Sequence, residues 1–250
     1  MDGTFYLGDR LLPGALEFLA LLRRRGTPFL FLTNNSSRTR VEYAAKIRRF
    51  GIDLPEEQFF TSGEATALYI QRQKPGARVY VVGTPALERE FTAHGFALTG
   101  DDPDFAVLGF DTTLTYEKIW KLCDLITAGV PYIATHPDIN CPTETGYMPD
   151  TGAMMAMIAA STGKQPDVIV GKPHAPIVEA VSAKLNLPVE RLCMVGDRLY
   201  TDIALGKTGL TTVLVLSGET KMEDLANSPF KPDFVMQDLA ELERSLNSGG

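Results

Sequence analysis

Two features of this 250-residue sequence predict an α/β protein built on a parallel sheet. Short apolar segments rich in β-branched and aromatic residues alternate along the chain with segments of helical periodicity, which is the order typical of α/β folds. Most of these apolar segments are continuous and do not alternate with polar residues. That pattern is typical of parallel strands covered by helices on both faces.

Eight segments carry the strand pattern. In chain order they are residues 28–33, 78–83, 104–110, 131–135, 167–170, 191–196, 211–216 and 233–236. Between them, helix ends are marked by residues with known positional preferences. A helix predicted over residues 11–25 has Pro13 near its start and Gly26 just past its end. Thr39 and Glu42 have the spacing of a capping box, so another helix is expected to begin there.

Composition and charge narrow the class of protein. The chain carries 31 Asp and Glu against 24 Lys and Arg, a formal net charge of −7, whereas nucleic-acid-binding domains usually present a basic face. No apolar run approaches the roughly 20 residues needed to cross a bilayer, and no signal-peptide pattern is present. The three cysteines are far apart and form no CxxC motif, so we expect reduced thiols. The sequence thus predicts a cytoplasmic protein with no nucleic-acid or membrane partner.

Three polar clusters come directly after predicted strands. They are TNNSS at 33–37, GKPH at 171–174 and GDRLYTD at 196–202. The carboxyl ends of parallel strands form the binding crevice of an open sheet, so we expect the clusters to converge there. MDGT at residues 1–4 would be a fourth if a strand preceded it. About 64–149 carries no such cluster but has strands and helices of its own, which indicates an inserted second domain.

Each cluster has a functional and a plainer interpretation. Asp197 and Asp202 offer the carboxylate oxygens that Mg²⁺ prefers, although Gly-Asp is also an ordinary strand-to-helix turn. Lys172 could place its charge on a phosphate, or it could be a solvated loop lysine. Thr33 and Asn34 could present donors to an anion at a helix N-terminus, or they could serve only in capping.

Residues 135–154 form a polar segment rich in Pro and Gly, placed where the chain returns from the predicted insert. Long irregular loops often carry function, so this segment is expected to line a substrate through His136, Asp138 or Asn140. In contrast, the single Trp120 is expected to pack in the core. The same expectation covers a group of methionines, namely Met154, Met155 and Met157.

Taken in order, the DGT, TNNSS, GKP and GDxxxxD segments resemble the four motifs of the haloacid dehalogenase (HAD)-like phosphohydrolases. The phrase DGTFYLGDRLLPGA and the position of the insert resemble the NagD and p-nitrophenylphosphatase branch, subclass IIA. The resemblance implies a doubly wound, Rossmann-like core of residues 1–62 and 150–250. It also implies an α/β cap of the C2 type at residues 63–149.

The resemblance also implies roles for individual residues. Asp2 would protonate the leaving alcohol and then activate water, with its pKa raised by burial under the closed cap, and its backbone carbonyl would bind Mg²⁺. Asp197 would ligate Mg²⁺ directly and Asp202 would support the metal shell. Lys172 would neutralise the phosphate. Thr33 and the backbone amide of Asn34 would hold the transferring phosphoryl group. Independently of the resemblance, the pattern of polar residues adds Asn35, His136 and Asp138, besides Lys172, as expected substrate contacts.

One part of the first motif falls outside the printed sequence. The family's nucleophilic aspartate would stand immediately before Met1, and we expect an apolar strand ending in that residue to precede it. If the chain instead starts at Met1, the alternative is a catalytically inactive protein that binds phosphometabolites. A mutase would carry a helical cap after the first motif, and residues 8–13 leave no room for one. The expected reaction is thus Mg²⁺-dependent hydrolysis of a small phosphate monoester through an aspartyl-phosphate, by a protein that could form a homodimer.

Overall fold

A computed structural model describes residues 1–143 and 145–248 of the protein. The helices are α1 Ala15–Arg24, α2 Arg40–Arg48, α3 Ser62–Gln73, α4 Pro85–Ala93, α5 Tyr116–Thr127, α6 Thr151–Thr162, α7 Ala175–Leu185, α8 Asp224–Asn227 and α9 Leu239–Ser248. The strands are β1 Tyr6–Leu7, β2 Arg10–Leu11, β3 Phe31–Thr33, β4 Phe59–Thr61, β5 Arg78–Val82, β6 Ala97–Leu98, β7 Phe105–Leu108, β8 Tyr132–Ala134, β9 Asn140–Thr143, β10 Gly146–Pro149, β11 Val168–Ile169, β12 Cys193–Gly196, β13 Thr211–Val215 and β14 Phe234–Met236.

The larger sheets are parallel, which confirms the predicted α/β class. Strands β3 and β4 pair with each other, and β12, β13 and β14 form a second parallel group. A separate five-stranded parallel sheet has the order β11-β8-β7-β5-β6. Each of the eight predicted segments contains a strand. The short strand β4 was not predicted, and the hairpins β1–β2 and β9–β10 also lie outside the predicted set.

The five-stranded sheet includes strand β11, which follows the segment predicted as an insert. Strand β11 pairs with β8, with Val168 opposite Ile133 and Ile169 opposite Ala134, so it belongs to the five-stranded sheet. Helix α6 contributes Met154 to the apolar cluster that also contains β7 and α5 residues. Residues 150–169 were expected in the first domain, but pairing and packing place them with the second sheet. The DVIV segment comes after α6 in the chain and pairs with β8. An apolar segment of this kind could join either sheet, so its sequence alone does not identify its partner strand.

An apolar cavity lies between the β3–β4 strand pair and the β12–β13–β14 strands. It has a volume of about 780 Å³, and β3, β12, α1 and α7 all contribute to its lining. Within the described residues β3 pairs with β4 alone and β12 with β13 alone, so each strand has one unpaired edge. Unpaired edges carry free backbone donors and acceptors. The cavity therefore has the apolar walls and the hydrogen-bonding edges that an extended strand would need.

Helix α5 buries a different face from the one expected. Trp120 is 62% exposed, whereas Leu122 and Ile126 are buried. Successive residues of an α-helix turn by about 100°, so a residue two positions from Leu122 points to the opposite side. The prediction of Trp120 as a core residue was therefore wrong. The methionine prediction holds for Met154, which is buried, and fails for Met157, which is 47% exposed. Within the described residues, no helix has the length and apolar character that a membrane crossing requires.

Two buried glutamates lie where α3 joins the two sheets. Glu64 on α3 accepts a hydrogen bond from Lys184 Nζ of α7 at 2.8 Å. Glu90 on α4 is 9% exposed, and its Oε2 accepts from Thr61 Oγ1 at 3.4 Å. Burial, and then the charge of Glu64, raise the pKa of Glu90 to about 7. Glu90 is therefore mostly neutral below about pH 7 in the folded protein.

Replacing Glu90 by glutamine should stabilise the protein at alkaline pH. A folded pKa above the unfolded value means that the wild type loses stability as pH rises from about 4.5 to about 7, by up to about 3 kcal/mol. Glu90→Gln should remove most of this slope, so that the variant exceeds the wild type at pH 8 and matches it at pH 5. Urea denaturation at both pH values checks this. The control is Glu117→Gln, since Glu117 is an exposed residue of α5. An unchanged slope in Glu90→Gln would refute the assignment.

Candidate active site

A buried ion pair lies at the carboxyl ends of the strands. Lys172 Nζ donates to Asp202 Oδ1 at 2.6 Å, and the two residues are 6% and 4% exposed. Burial is the largest influence and alone would raise the pKa of Asp202, but the Lys172 ammonium, the amino group at Met1 and the hydrogen bonds from Lys172 and Arg198 together hold the pKa below its usual range. Asp202 Oδ2 also accepts from the backbone N–H of Arg198 at 3.2 Å. Lys172 is thus a fixed, desolvated positive charge and not a solvated loop residue.

Asp197 lies beside this pair in a narrow cradle. Its Oδ1 accepts from Thr4 Oγ1 at 2.9 Å and its Oδ2 from the backbone N–H of Glu219 at 3.0 Å. Burial raises the pKa of Asp197, and the nearby charge of Asp202 raises it further. A Cβ added at Gly3 or at Gly218 would lie 2.2 Å from Asp197 Oδ2. Only glycine leaves room for this carboxylate on those two sides.

Asn34 fixes the main chain of Lys172. Its Oδ1 accepts from the Lys172 backbone N–H at 2.8 Å, and its Nδ2 donates to the Lys172 carbonyl at 2.9 Å. The same Nδ2 donates to Asp138 Oδ1 at 3.0 Å. The Asn34 side chain therefore makes the two hydrogen bonds to the Lys172 backbone that a neighbouring strand could make. Its amide donors are used within the protein. A substrate contact from Asn34 is left to its backbone amide.

The other predicted residues after β3 and at the chain start are more open. Thr33 is half-buried, and its Oγ1 accepts from the backbone N–H of Asn35 at 3.3 Å. Asn35 closes a local turn, because its Oδ1 accepts from both the N–H and the hydroxyl of Ser37. Asp2 is exposed, so the burial that was expected for it is absent from this structure. Its main chain adjoins Gly3, which packs against Asp197.

His136 does not line a substrate site. It is fully buried, its Nε2 lies 2.9 Å from Asp150 Oδ1 and its Nδ1 lies 2.9 Å from Thr135 Oγ1. Both ring nitrogens are engaged inside the protein, which leaves no free ring nitrogen for the predicted substrate contact of His136. Asp138 is half-buried between Asn34 and Arg198 NH1, the latter at 3.9 Å, and remains at the site. Asn140 is exposed at the start of β9.

Two groups of side chains could be considered for a metal ion. The ligand atoms of His136, Asp138 and Asp150 all lie within 4.8 Å of one another, but His136 and Asp150 already satisfy each other and Asp138 is bonded to Asn34. Asp197 and Asp202 are two buried carboxylates served by one buried ammonium, and Asp197 keeps free lone pairs. Mg²⁺ prefers such hard oxygen donors and is commonly bound by one or two carboxylates. The Asp197–Asp202 pair fits a divalent cation better.

Comparisons with known proteins agree with this geometry. Residues 1–97 match the family of haloacid dehalogenase-like hydrolases, and residues 169–242 match a further HAD-like hydrolase family. The 5'-nucleotidase YutF of Bacillus subtilis is 40% identical over 242 residues, which cover 96% of this chain and 94% of that protein. The chain belongs to the haloacid dehalogenase-like hydrolases. The family resemblance of the four motifs is therefore confirmed.

Two solved structures place this hydrolase within the family. A 4-nitrophenylphosphatase from Thermotoga maritima is 51% identical, with a TM-score of 0.94 over 98% of this chain and 94% of that one. A glycerol phosphate phosphatase from Mycobacterium tuberculosis, in complex with calcium, is 33% identical, with a TM-score of 0.89 over 97% of this chain and 72% of that one. These likenesses confirm the Rossmann-like HAD core and the p-nitrophenylphosphatase branch.

Some residues of the site were not found from the sequence of this hydrolase. Thr4 binds Asp197, and its place in the DGT segment is the signal that could have identified it. Asp150 caps α6 by accepting from the backbone N–H of Thr151 at 2.6 Å, which its position before an apolar helical run could have indicated. Ser62 donates to the backbone carbonyl of Asn34, and no local pattern marks it.

Proposed function

We propose that this hydrolase is a Mg²⁺-dependent phosphatase acting on small phosphate monoesters, such as a sugar phosphate or a nucleoside monophosphate. The observation that carries the proposal is the buried Lys172 ammonium paired with Asp202, with Asp197 close to Asp202, after the ends of β11 and β12. A dianionic phosphate needs several positive charges in a protein whose net charge is −7. The relatives named above are phosphatases, which supports the reaction class.

Residues of the chain divide the work of binding and proton transfer. The Thr33 hydroxyl and the Asn34 amide follow β3 and would donate to the transferring phosphoryl group. Lys172 would hold its charge against the equatorial oxygens, where negative charge accumulates during transfer. Asp2 would give a proton to the leaving alcohol and then take one from water. The exposure of Asp2 leaves it accessible to both.

A divalent cation would be held by Asp197, with Asp202 in support and the Asp2 carbonyl nearby. When bound, it would add positive charge on the phosphoryl oxygens and relieve the repulsion between the two buried carboxylates. Calcium in the related glycerol phosphate phosphatase supports a divalent site in this family. Mg²⁺ is our proposal for this chain.

We propose a two-step transfer through an aspartyl-phosphate on the residue that precedes Met1. An aspartate carboxylate would attack phosphorus as the ester oxygen leaves with the proton from Asp2, and water would then hydrolyse the acyl phosphate. The main-chain nitrogen of Met1 is buried in the field of Lys172, Asp197 and Asp202, so a residue attached there would enter the site. The cavity between β3 and β12 would accept the strand that carries it.

The five-stranded sheet would act as the cap that selects the leaving group. Residues 63–169 are the extent that strand pairing favours for it, between core segments 1–62 and 170–250. Asp138, close to both Asn34 and Arg198, is the part of this unit that reaches the site. A roofed site favours small esters over proteins. The cytoplasmic location and the homodimer stay predictions.

Phosphate release from p-nitrophenyl phosphate, with and without MgCl₂, tests the function. The intact mass and the N-terminal sequence of the protein should be recorded first. We expect turnover that EDTA removes and Mg²⁺ restores, followed by a screen of sugar phosphates and nucleoside monophosphates. Binding of inorganic phosphate without any turnover would instead support the inactive, phosphometabolite-binding alternative.

A further inference from the structure

A buried network of polar side chains connects the inserted unit to the catalytic lysine. Its centre is His136, whose Nε2 faces Asp150 and whose Nδ1 faces Thr135 Oγ1 at 2.9 Å and Ser62 Oγ at 3.4 Å. Thr135 Oγ1 lies 3.1 Å from Ser36 Oγ. All five residues are at most 3% exposed. Buried polar groups are costly unless each one is paired, so such a network has a defined geometry.

The hydrogen bonds of the network can run in a single direction. The Phe110 backbone N–H donates to Ser36 Oγ at 2.9 Å, and the Ser36 and Thr135 hydroxyls can each donate onward to reach His136 Nδ1. A neutral imidazole protonated at Nε2 then donates to an ionised Asp150. Asp150 is further stabilised as the N-cap of α6, where the helix dipole favours negative charge. Every member of the chain is satisfied in this arrangement.

The network ends at the main chain of Lys172 by two routes. Ser62 Oγ donates its one hydrogen to the carbonyl of Asn34, so it meets His136 Nδ1 at 3.4 Å as a packing contact. Asn34 is the residue whose side chain binds the Lys172 main chain. The backbone of Thr135 accepts from the Gly171 N–H at 2.8 Å. A Cβ added at Gly171 would lie 2.6 Å from the Thr135 carbonyl and 2.8 Å from Asn34 Oδ1. The backbone of residue 171 thus packs directly against residues 135 and 34, and with its hydrogen bond to Thr135 it can pass a displacement of residues 135–136 to Lys172.

We propose that the His136–Asp150 pair is a positioning device for Lys172. The pair fixes residues 135–136 against Gly171 and Asn34, and thereby holds the Lys172 ammonium at Asp202. Neither His136 nor Asp150 touches the substrate. The catalytic consequence rests on the proposed phosphatase function, whereas the effect on the Lys172 main chain does not.

Asp150→Ser separates positioning from helix capping. Serine is a good N-cap and keeps α6 intact, but its short side chain cannot reach His136 Nε2. Asp150→Asn keeps both an N-cap and an acceptor, and therefore serves as the conservative rescue. Thr66→Val is the matched control, since it removes a buried hydrogen bond from Thr66 Oγ1 to the Ser62 carbonyl without breaking the path to Lys172. His136→Leu removes the other half of the pair.

Two measurements decide the proposal: hydrogen exchange at the Lys172 amide, and kcat and KM for p-nitrophenyl phosphate. In Asp150→Ser we expect that amide to exchange at least about tenfold faster, while α6 and the β12–β14 strands keep their protection. We expect kcat to fall about ten- to a hundredfold with KM changed less than about threefold, because a small misplacement of a charge costs mainly in the transition state. Asp150→Asn should recover most of the protection at the Lys172 amide and most of the kcat. Thr66→Val should change neither quantity.

Other outcomes are equally decisive. Lys172 protection that stays at the wild-type level in Asp150→Ser, or a loss of protection spread evenly over the protein, overturns the positioning role. A selective loss of protection at the Lys172 amide with an unchanged kcat also overturns the positioning role. If the wild type shows no turnover at all, the proposed function fails, and the exchange at Lys172 still decides whether the pair positions that residue.

Discussion

Replacing Lys172 by methionine is expected to reduce phosphate release by about 10²–10³-fold or more, and to destabilise the folded protein. Methionine has a similar volume but removes the ammonium that donates to Asp202 Oδ1 at 2.6 Å. A buried charge left without its partner typically costs about 3–5 kcal/mol. Lys172 is therefore predicted to serve both stability and catalysis. Activity assays and urea denaturation at neutral pH measure the two effects.

The pH dependence of the destabilisation distinguishes charge from packing. Lys172 lowers the pKa of Asp202, so its contribution to stability is present above the unfolded pKa of about 4 and is lost as pH falls through the folded pKa. The stability gap between Lys172→Met and the wild type should therefore close as Asp202 becomes protonated. A gap that stays constant down to the acid transition would show that lost packing is the cause.

Two further variants serve as controls for Lys172. Lys184→Met breaks another partly buried lysine–carboxylate pair, with Glu64, and should destabilise the fold while the enzyme keeps its activity. In the double variant Lys172→Met with Asp202→Asn, the unpaired charge is gone, so stability should recover and activity should not. Activity that persists in Lys172→Met would contradict the proposed role of its charge.

Replacing Asp197 by asparagine should abolish activity and the stabilisation of the fold by Mg²⁺. In the wild type, saturating MgCl₂ at about 100 times its dissociation constant should add about 2.7 kcal/mol of stability. Without metal, Asp197→Asn should equal or exceed the wild type, because burial and Asp202 both disfavour the charge at this position. The amide oxygen can still accept from Thr4 or Glu219. Thermal denaturation with and without MgCl₂ measures this.

Asp111 provides the matched control for Asp197. It is 2% exposed and accepts from Lys118 Nζ at 2.7 Å, and it makes no hydrogen bond to Asp197, Asp202 or Lys172 within the described residues. Asp111→Asn should lower stability and leave the response to MgCl₂ unchanged. If Asp197→Asn responded to MgCl₂ as the wild type does, the metal would have to be assigned elsewhere, with His136, Asp138 and Asp150 as the next group to test.

The sequence determined the α/β class and the placing of Thr33, Lys172, Asp197 and Asp202 after strands. It could do so because each strand and the polar residues that follow it are adjacent in the chain, and parallel strands bring their carboxyl ends together. The capping box at Thr39 was predictable for the same reason, since both partners lie within one helical turn.

Tertiary structure decided how those residues are used. Asn34 and Lys172 are 138 positions apart in the chain, and only their meeting turns an expected phosphate donor into a clamp on the lysine backbone. His136 was expected to face a substrate, and only the packed fold shows that Thr135 lies at its Nδ1 and Asp150 at its Nε2. The extent of the inserted unit likewise depends on the pairing of β11 with β8. In each case several polar partners or strand edges compete, and only the packed fold decides which of them meet, because buried polar groups need a partner.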